Sequence, residues 1–110
     1  MTRQVRVSRR AQRDADVIFD RLAQRSTDGA SRWYESYLTI LRSLPDRAPG
    51  CPIAPEAYDL GIDLRQAQFQ TRKGRTYRVL FIAQETVVDV VSVRGAGQDL
   101  VTGADIELPE

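Results

Sequence analysis

Residues 64–100 read LRQAQFQTRKGRTYRVLFIAQETVVDVVSVRGAGQDL. The run divides into three stretches of strand-forming residues, about 63–71, 75–83 and 86–94, with Lys73-Gly74 and Gln84-Glu85 at the turns between them. Three consecutive strands joined by tight turns predict an antiparallel meander. Arg65, Arg72, Lys73, Arg75, Arg78 and Arg94 are interleaved with the apolar positions. Because side chains alternate across a strand, one sheet face can hold a core while the other shows guanidinium groups to a polyanion or an acidic partner.

Working outward, the upstream chain supplies the scaffold for that sheet. Gln4-Val5-Arg6-Val7 alternates polar and apolar, as a short strand does. A lone strand of this length is not stable, so it must join the meander. Ser8 is a good N-cap. Ala11, Ala15, Ile18, Phe19 and Leu22 then recur at helical spacing, predicting a helix to about Arg25. Ser26-Thr27-Asp28-Gly29 breaks it. A second helix is expected from Asp28 to Leu44, with Ala30, Trp33, Tyr34, Tyr37, Leu38, Leu41 and Leu44 on one broad face and Pro45 as its stop. The short connector makes the pair an antiparallel helical hairpin.

Residues 45–61 hold four of the five prolines, two glycines and Cys51. They read as an irregular loop, too long for a plain connector and therefore a functional candidate. From Gly95 the chain is Gly-rich and acidic, and a short tail with little structure is expected. The predicted class is α+β, in the order β-α-α-β-β-β, with a small antiparallel sheet packed on the helical hairpin. The sheet face away from the helices should be open and partly basic. Residues 1–100 form one domain and 101–110 an acidic C-terminal tail. No repeat or low-complexity tract interrupts this order.

Bulk properties narrow the class. The 110 residues carry 42% apolar content and a net charge of +1, which argues against disorder. No apolar run reaches the length of a membrane span, and Met1–Val7 lacks a signal-peptide apolar region. The single Cys51 forms no intramolecular disulfide, so a cytoplasmic protein is expected. The charges are segregated. Residues 1–13 carry five Arg and no acid; residues 14–63 carry five Arg against nine acids. Residues 64–94 carry five Arg and one Lys against two acids, and residues 95–110 carry four acids and no base. If the two basic segments meet in space, they form one patch. With no His in the chain, a Cys–His nucleophile is impossible and metal ligation has almost no material. Phosphate-loop and dinucleotide fingerprints are absent, and no cofactor is expected.

Taken in order, these elements resemble the RelE/ParE superfamily of small bacterial toxins from type II toxin–antitoxin systems. The resemblance covers nearly the whole chain. Its sharpest part is Gly74-Arg75-Thr76-Tyr77-Arg78-Val79-Leu80-Phe81, similar to the family's "yRvlf" strand. Val91-Ser92-Val93-Arg94-Gly95-Ala96-Gly97-Gln98-Asp99-Leu100 is similar to the strand exit of ParE-like members, and Leu64-Arg65 to the start of the family's second strand. The resemblance implies a cognate antitoxin protein whose C-terminal segment wraps the toxin. An Arg-lined groove would suit an acidic segment of that kind. Toxin dimers and toxin–antitoxin heterotetramers are the implied assemblies.

The two branches of the family differ in chemistry. RelE-like members cleave mRNA on the ribosome with a Lys/Arg cluster and, in some, a C-terminal Tyr or His. ParE-like members are associated with poisoning DNA gyrase and have no established catalytic residue. Arg78 matches the strand Arg of both branches. The second RelE-like base is missing or displaced to Arg94, no Tyr follows Tyr77, and the ParE-like His and Arg are replaced around Arg94-Gly95 and at Gln98. Metal-free RNA cleavage needs a general base, and Arg stays protonated at physiological pH. The remaining candidates are Asp89, Glu85 and Lys73. The residues therefore favour a ParE-like binder, with an RelE-type nuclease and a non-toxic partner-binding relic as the other readings. Arg65, Arg72, Lys73, Arg75, Arg78 and Arg94 are the candidate target- or antitoxin-binding residues. For Arg78 a structural ion pair with Asp63 or Asp89 competes with a phosphate or carboxylate contact.

Overall fold

The computed structural model describes residues 3–71, 75–95, 98 and 100–108. Strand β1 (Gln4–Val7) leads into helix α1 (Arg9–Ala23) and helix α2 (Thr27–Arg47). A single 3₁₀ turn, residues 48–50, and a short helix α3 (Glu56–Leu60) follow. Strands β2 (Arg65–Gln70), β3 (Thr76–Ala83) and β4 (Val87–Arg94) complete an α+β fold, with one more 3₁₀ turn at residues 103–105.

The sheet order is β1-β4-β3-β2. β2, β3 and β4 form the antiparallel meander, but β1 runs parallel to β4, so the sheet is mixed rather than antiparallel. The path of the chain permits the parallel pairing, because β1 is joined to the meander through the helical hairpin and not through a tight turn.

Local chemistry accounts for both long helices. Ser8 caps α1, its Oγ accepting the Ala11 N–H at 3.0 Å. Ser26 caps α2 in the same way through Gly29 N–H, also at 3.0 Å. Ala11, Ala15 and Ile18 of α1 and Ala30, Trp33, Tyr37, Ile40 and Leu44 of α2 are buried. All of these except Ala30 share one cluster with Ala67, Phe69, Tyr77, Val79, Phe81, Val88, Val90 and Val93 of the sheet. Pro45 does not stop α2, which runs on to Arg47. Proline removes one backbone hydrogen bond in the last turns, and the turn is held there by Leu44 and Ala48, both fully buried.

Register shifts between Leu80 and Phe81, from Leu80↔Ser92 to Phe81↔Val90, leaving Val91 as an extra residue on β4. Just beyond it, Asp14 ties α1 to the strand: its Oδ2 accepts Ser92 Oγ–H at 2.9 Å and Val93 N–H at 3.1 Å. Asp14→Ala leaves these buried donors unpaired. A loss of about 2–3 kcal/mol is expected, measured by urea denaturation.

The far face of the sheet is not open. Ala54, Ala57, Leu64, Leu80, Val91 and Val101 form a second buried cluster there, with Leu60, Ile62, Ile82 and Ile106 packed against it. Part of the expected proline loop is thus a folded cover, ending at Gly61 with a left-handed φ of 67° that closes α3. The segment beyond residue 100 is also packed: Val101 is only 4% exposed. Its Thr102 and Asp105 form a capping box around the last 3₁₀ turn.

Candidate functional site

The covered sheet face is built around Arg78. β3 places it in register with Gln68 of β2 and Arg94 of β4. Its guanidinium donates Nη2 to Glu56 Oε2 at 2.7 Å and Nη1 to Glu56 Oε1 at 2.9 Å, a bidentate fork on a carboxylate. Nη1 also donates to Gln66 Oε1 at 3.0 Å. Glu56 lies at the first position of α3 and its side chain is 1% exposed. Its Oε2 accepts a further bond from Val101 N–H at 3.1 Å. Burial alone would raise the Glu56 carboxyl. The hydrogen bonds from Arg78, its own backbone amide and Val101, with the Arg78 charge, outweigh burial and hold it below its ordinary value.

The partner of Arg78 is therefore Glu56, not Asp63 or Asp89. Asp63 instead accepts Arg65 Nε at 2.9 Å, while Arg65 Nη1 donates to the Cys51 carbonyl at 3.0 Å. Asp89 accepts Arg6 Nε at 2.9 Å across the β1–β4 pair and Gln84 Nε2 at 3.2 Å.

The six candidate residues do not form one row. Arg65 is paired with Phe81, and Arg78 with Gln68, which puts the two arginines on opposite faces of the sheet. Arg94 shares the Arg78 face, directly across from it. Arg75 is exposed just before β3. Arg72 and Lys73 lie outside the described residues. The two basic segments adjoin where β1 pairs with β4, while β2 lies at the opposite edge of the sheet. Arg6 and Arg10 are turned to carboxylates, Arg6 to Asp89 and Arg10 to Asp14 and Asp105. Gly95 lets the chain leave β4 close to the Tyr77 ring, where an added Cβ would meet Tyr77 Cε1 at 3.1 Å.

Sequence reasoning missed Glu56, Asp14 and the tail as parts of this arrangement. For Glu56 a signal was present: Pro55-Glu56 ahead of Gly61 is a helix start and stop in miniature.

Chemically the face is a neutralised clamp. A nuclease needs its base within hydrogen-bond reach of the reacting group. Asp89 lies five residues along β4 from Arg94, the register partner of Arg78, roughly 16 Å at ~3.3 Å per residue. It is also held by Arg6 and Gln84. No cluster of three metal-ligating side chains occurs among the described residues. Among them, too, no helix is long and apolar enough to cross a membrane. Compared with known proteins, the chain matches no family model and none of the curated proteins.

Proposed function

We propose that this protein is the toxin component of a type II toxin–antitoxin system, ParE-like in character. In this reading it inhibits growth by binding an essential target, DNA gyrase being the first to test, and is neutralised by a cognate antitoxin. The reading is supported by the element order, with a helical hairpin on one face of a four-stranded sheet. The Thr76-Tyr77-Arg78-Val79-Leu80-Phe81 segment, which carries the resemblance, forms the first six residues of β3.

One observation favours binding over RNA cleavage. Arg78, the arginine matched in both branches, has its guanidinium committed to a buried carboxylate and is not presented as a phosphate clamp. The RelE-type alternative requires Glu56 to release it. The same self-neutralised face also suits a non-toxic relic that retained only a partner surface.

Purified full-length protein added to a gyrase supercoiling reaction separates these readings. The proposal expects inhibition at micromolar concentration. Unimpaired supercoiling removes gyrase as the target. Cleaved transcripts in a translating extract support the nuclease, and inactivity in both assays supports the relic.

A further inference from the structure

The C-terminal segment is attached to the domain mainly through side chains. Its anchor is Val101, buried in the second cluster, with Ile106 packed on the same cluster. The other attachments are acidic. Glu107 Oε1 accepts the backbone N–H of Arg10 at 3.1 Å, and Asp105 Oδ1 lies 3.6 Å from Arg10 Nη2. Asp105 is held below its ordinary value by Thr102 first, with the charges of Arg94 and Arg10 adding to the effect.

These carboxylates meet a real electrostatic need. The first turn of α1 contains no acid, and Arg9, Arg10 and Arg13 crowd a helix end that is itself partially positive. The tail adds negative charge from the other end of the chain to that of Asp14, which already accepts Arg10 Nε at 3.3 Å. Yet among the described residues no backbone-to-backbone hydrogen bond joins residues 100–108 to the sheet or to the long helices. The Val101 N–H goes to the Glu56 side chain instead. The partly exposed Arg10–Asp105 pair adds little, so the hold rests on Val101, its N–H on Glu56, and Ile106.

We propose that residues 100–108 form a displaceable strap. The strap is the intramolecular occupant of a docking surface that takes acidic peptide segments with alternating aliphatic residues. The pattern is written in the strap itself: Asp105-Ile106-Glu107-Leu108 alternates carboxylates with aliphatics. The carboxylates go to Arg10 and the α1 amide, and Ile106 goes to the second cluster. Glu107 and Leu108 line a groove of about 320 Å³ together with Arg6, Ser8, Asp89 and Val91. Leu100 and Leu108 remain about half exposed, at 53% and 49%, so the strap buries its own leucines incompletely. A partner with the same alternation and more aliphatic surface would displace it. The proposal deepens the antitoxin-binding reading and rests on it only for the biological occupant; the strap is testable without it.

The test uses full-length protein and a fluorescein-labelled peptide of sequence VTGADIEL, copied from residues 101–108. In Asp105→Asn/Glu107→Gln the strap loses its charges while the core is untouched. A self-occupied site binds in proportion to the fraction left open. The double variant should therefore bind the peptide about fivefold tighter than wild type, and the Val101 and Arg10 amides should exchange hydrogen about fivefold faster. Equal affinity, absent binding, or unchanged exchange would overturn the strap. So would a wild-type dimer that the double variant abolishes, because the tail would then sit on a second copy. A strap that opens in a protein without effect on growth refutes the toxin reading alone. Growth arrest with no strap opening refutes the strap alone.

Discussion

Arg78→Ala is expected to destabilise the protein by about 3–5 kcal/mol, because it leaves the Glu56 carboxylate buried and unpaired. By contrast, Glu56→Gln/Arg78→Met should fall within about 1–2 kcal/mol of wild type. Replacing both partners of a buried pair removes the desolvation cost along with the attraction, and the substituted glutamine amide keeps an oxygen for the Val101 N–H. Denaturant unfolding followed by Trp33 fluorescence reads both. The pH dependence has a definite sign. The native Glu56 value is lowered, so its contribution is fully present above the ordinary value of 4.5 and is lost as pH falls through the lowered native value. The double variant should show a flatter acid limb. A mild Arg78→Ala with a strongly destabilised double variant would mean that Arg78 is not held as described.

Trp33→Ala is the second large effect, expected at about 3–5 kcal/mol. The indole is 1% exposed between the hairpin and the sheet. It stacks on Tyr37 at a centroid distance of 5.5 Å and an interplanar angle of 9°, and meets Tyr77 edge-on at 5.6 Å. Phe69 lies at 6.1 Å. Tyr34 also lies at 6.4 Å, so removing the ring opens a cavity bounded by four other aromatics, none of which can collapse into it without leaving its own contacts. Tyr37→Phe should differ in kind. The Tyr37 hydroxyl is buried without a hydrogen-bond partner among the described residues, so its loss should leave stability unchanged or slightly raised. Thermal unfolding of the two variants separates ring packing from hydroxyl bonding.

The contrast between Trp33 and Glu56 shows where the sequence was legible. Trp33 and Tyr37 fall on the apolar stripe of a long amphipathic helix, and Tyr77, Val79 and Phe81 alternate along a strand. Both patterns are local, and periodicity reveals them. The β-α-α-β-β-β order followed from such patterns. The register shift opposite Leu80 and Phe81 did not, since Val90 and Val91 are chemically alike and only the partner strand decides which is the extra residue. Pro45 was read by its local rule, but the burial of Leu44 and Ala48 overrode that rule. The cover over Arg78 was hidden for a different reason. Glu56 lies 22 residues from Arg78 and 45 from Val101 along the chain, and a pairing of single charges at that range leaves no periodic trace. Alternation alone suggested a basic face. It could not show that the chain itself supplies the acids that neutralise it.

The proposed function requires that the protein arrest growth by binding, with Arg78 serving the fold rather than RNA chemistry. Controlled expression of wild type and Glu56→Gln/Arg78→Met in bacterial cells, scoring growth, DNA-damage response and global translation together, tests it most directly. The expected result is arrest with a damage response by both proteins while translation continues. Translation collapsing first in wild type, and spared by the double variant, would contradict it, as would normal growth with either protein.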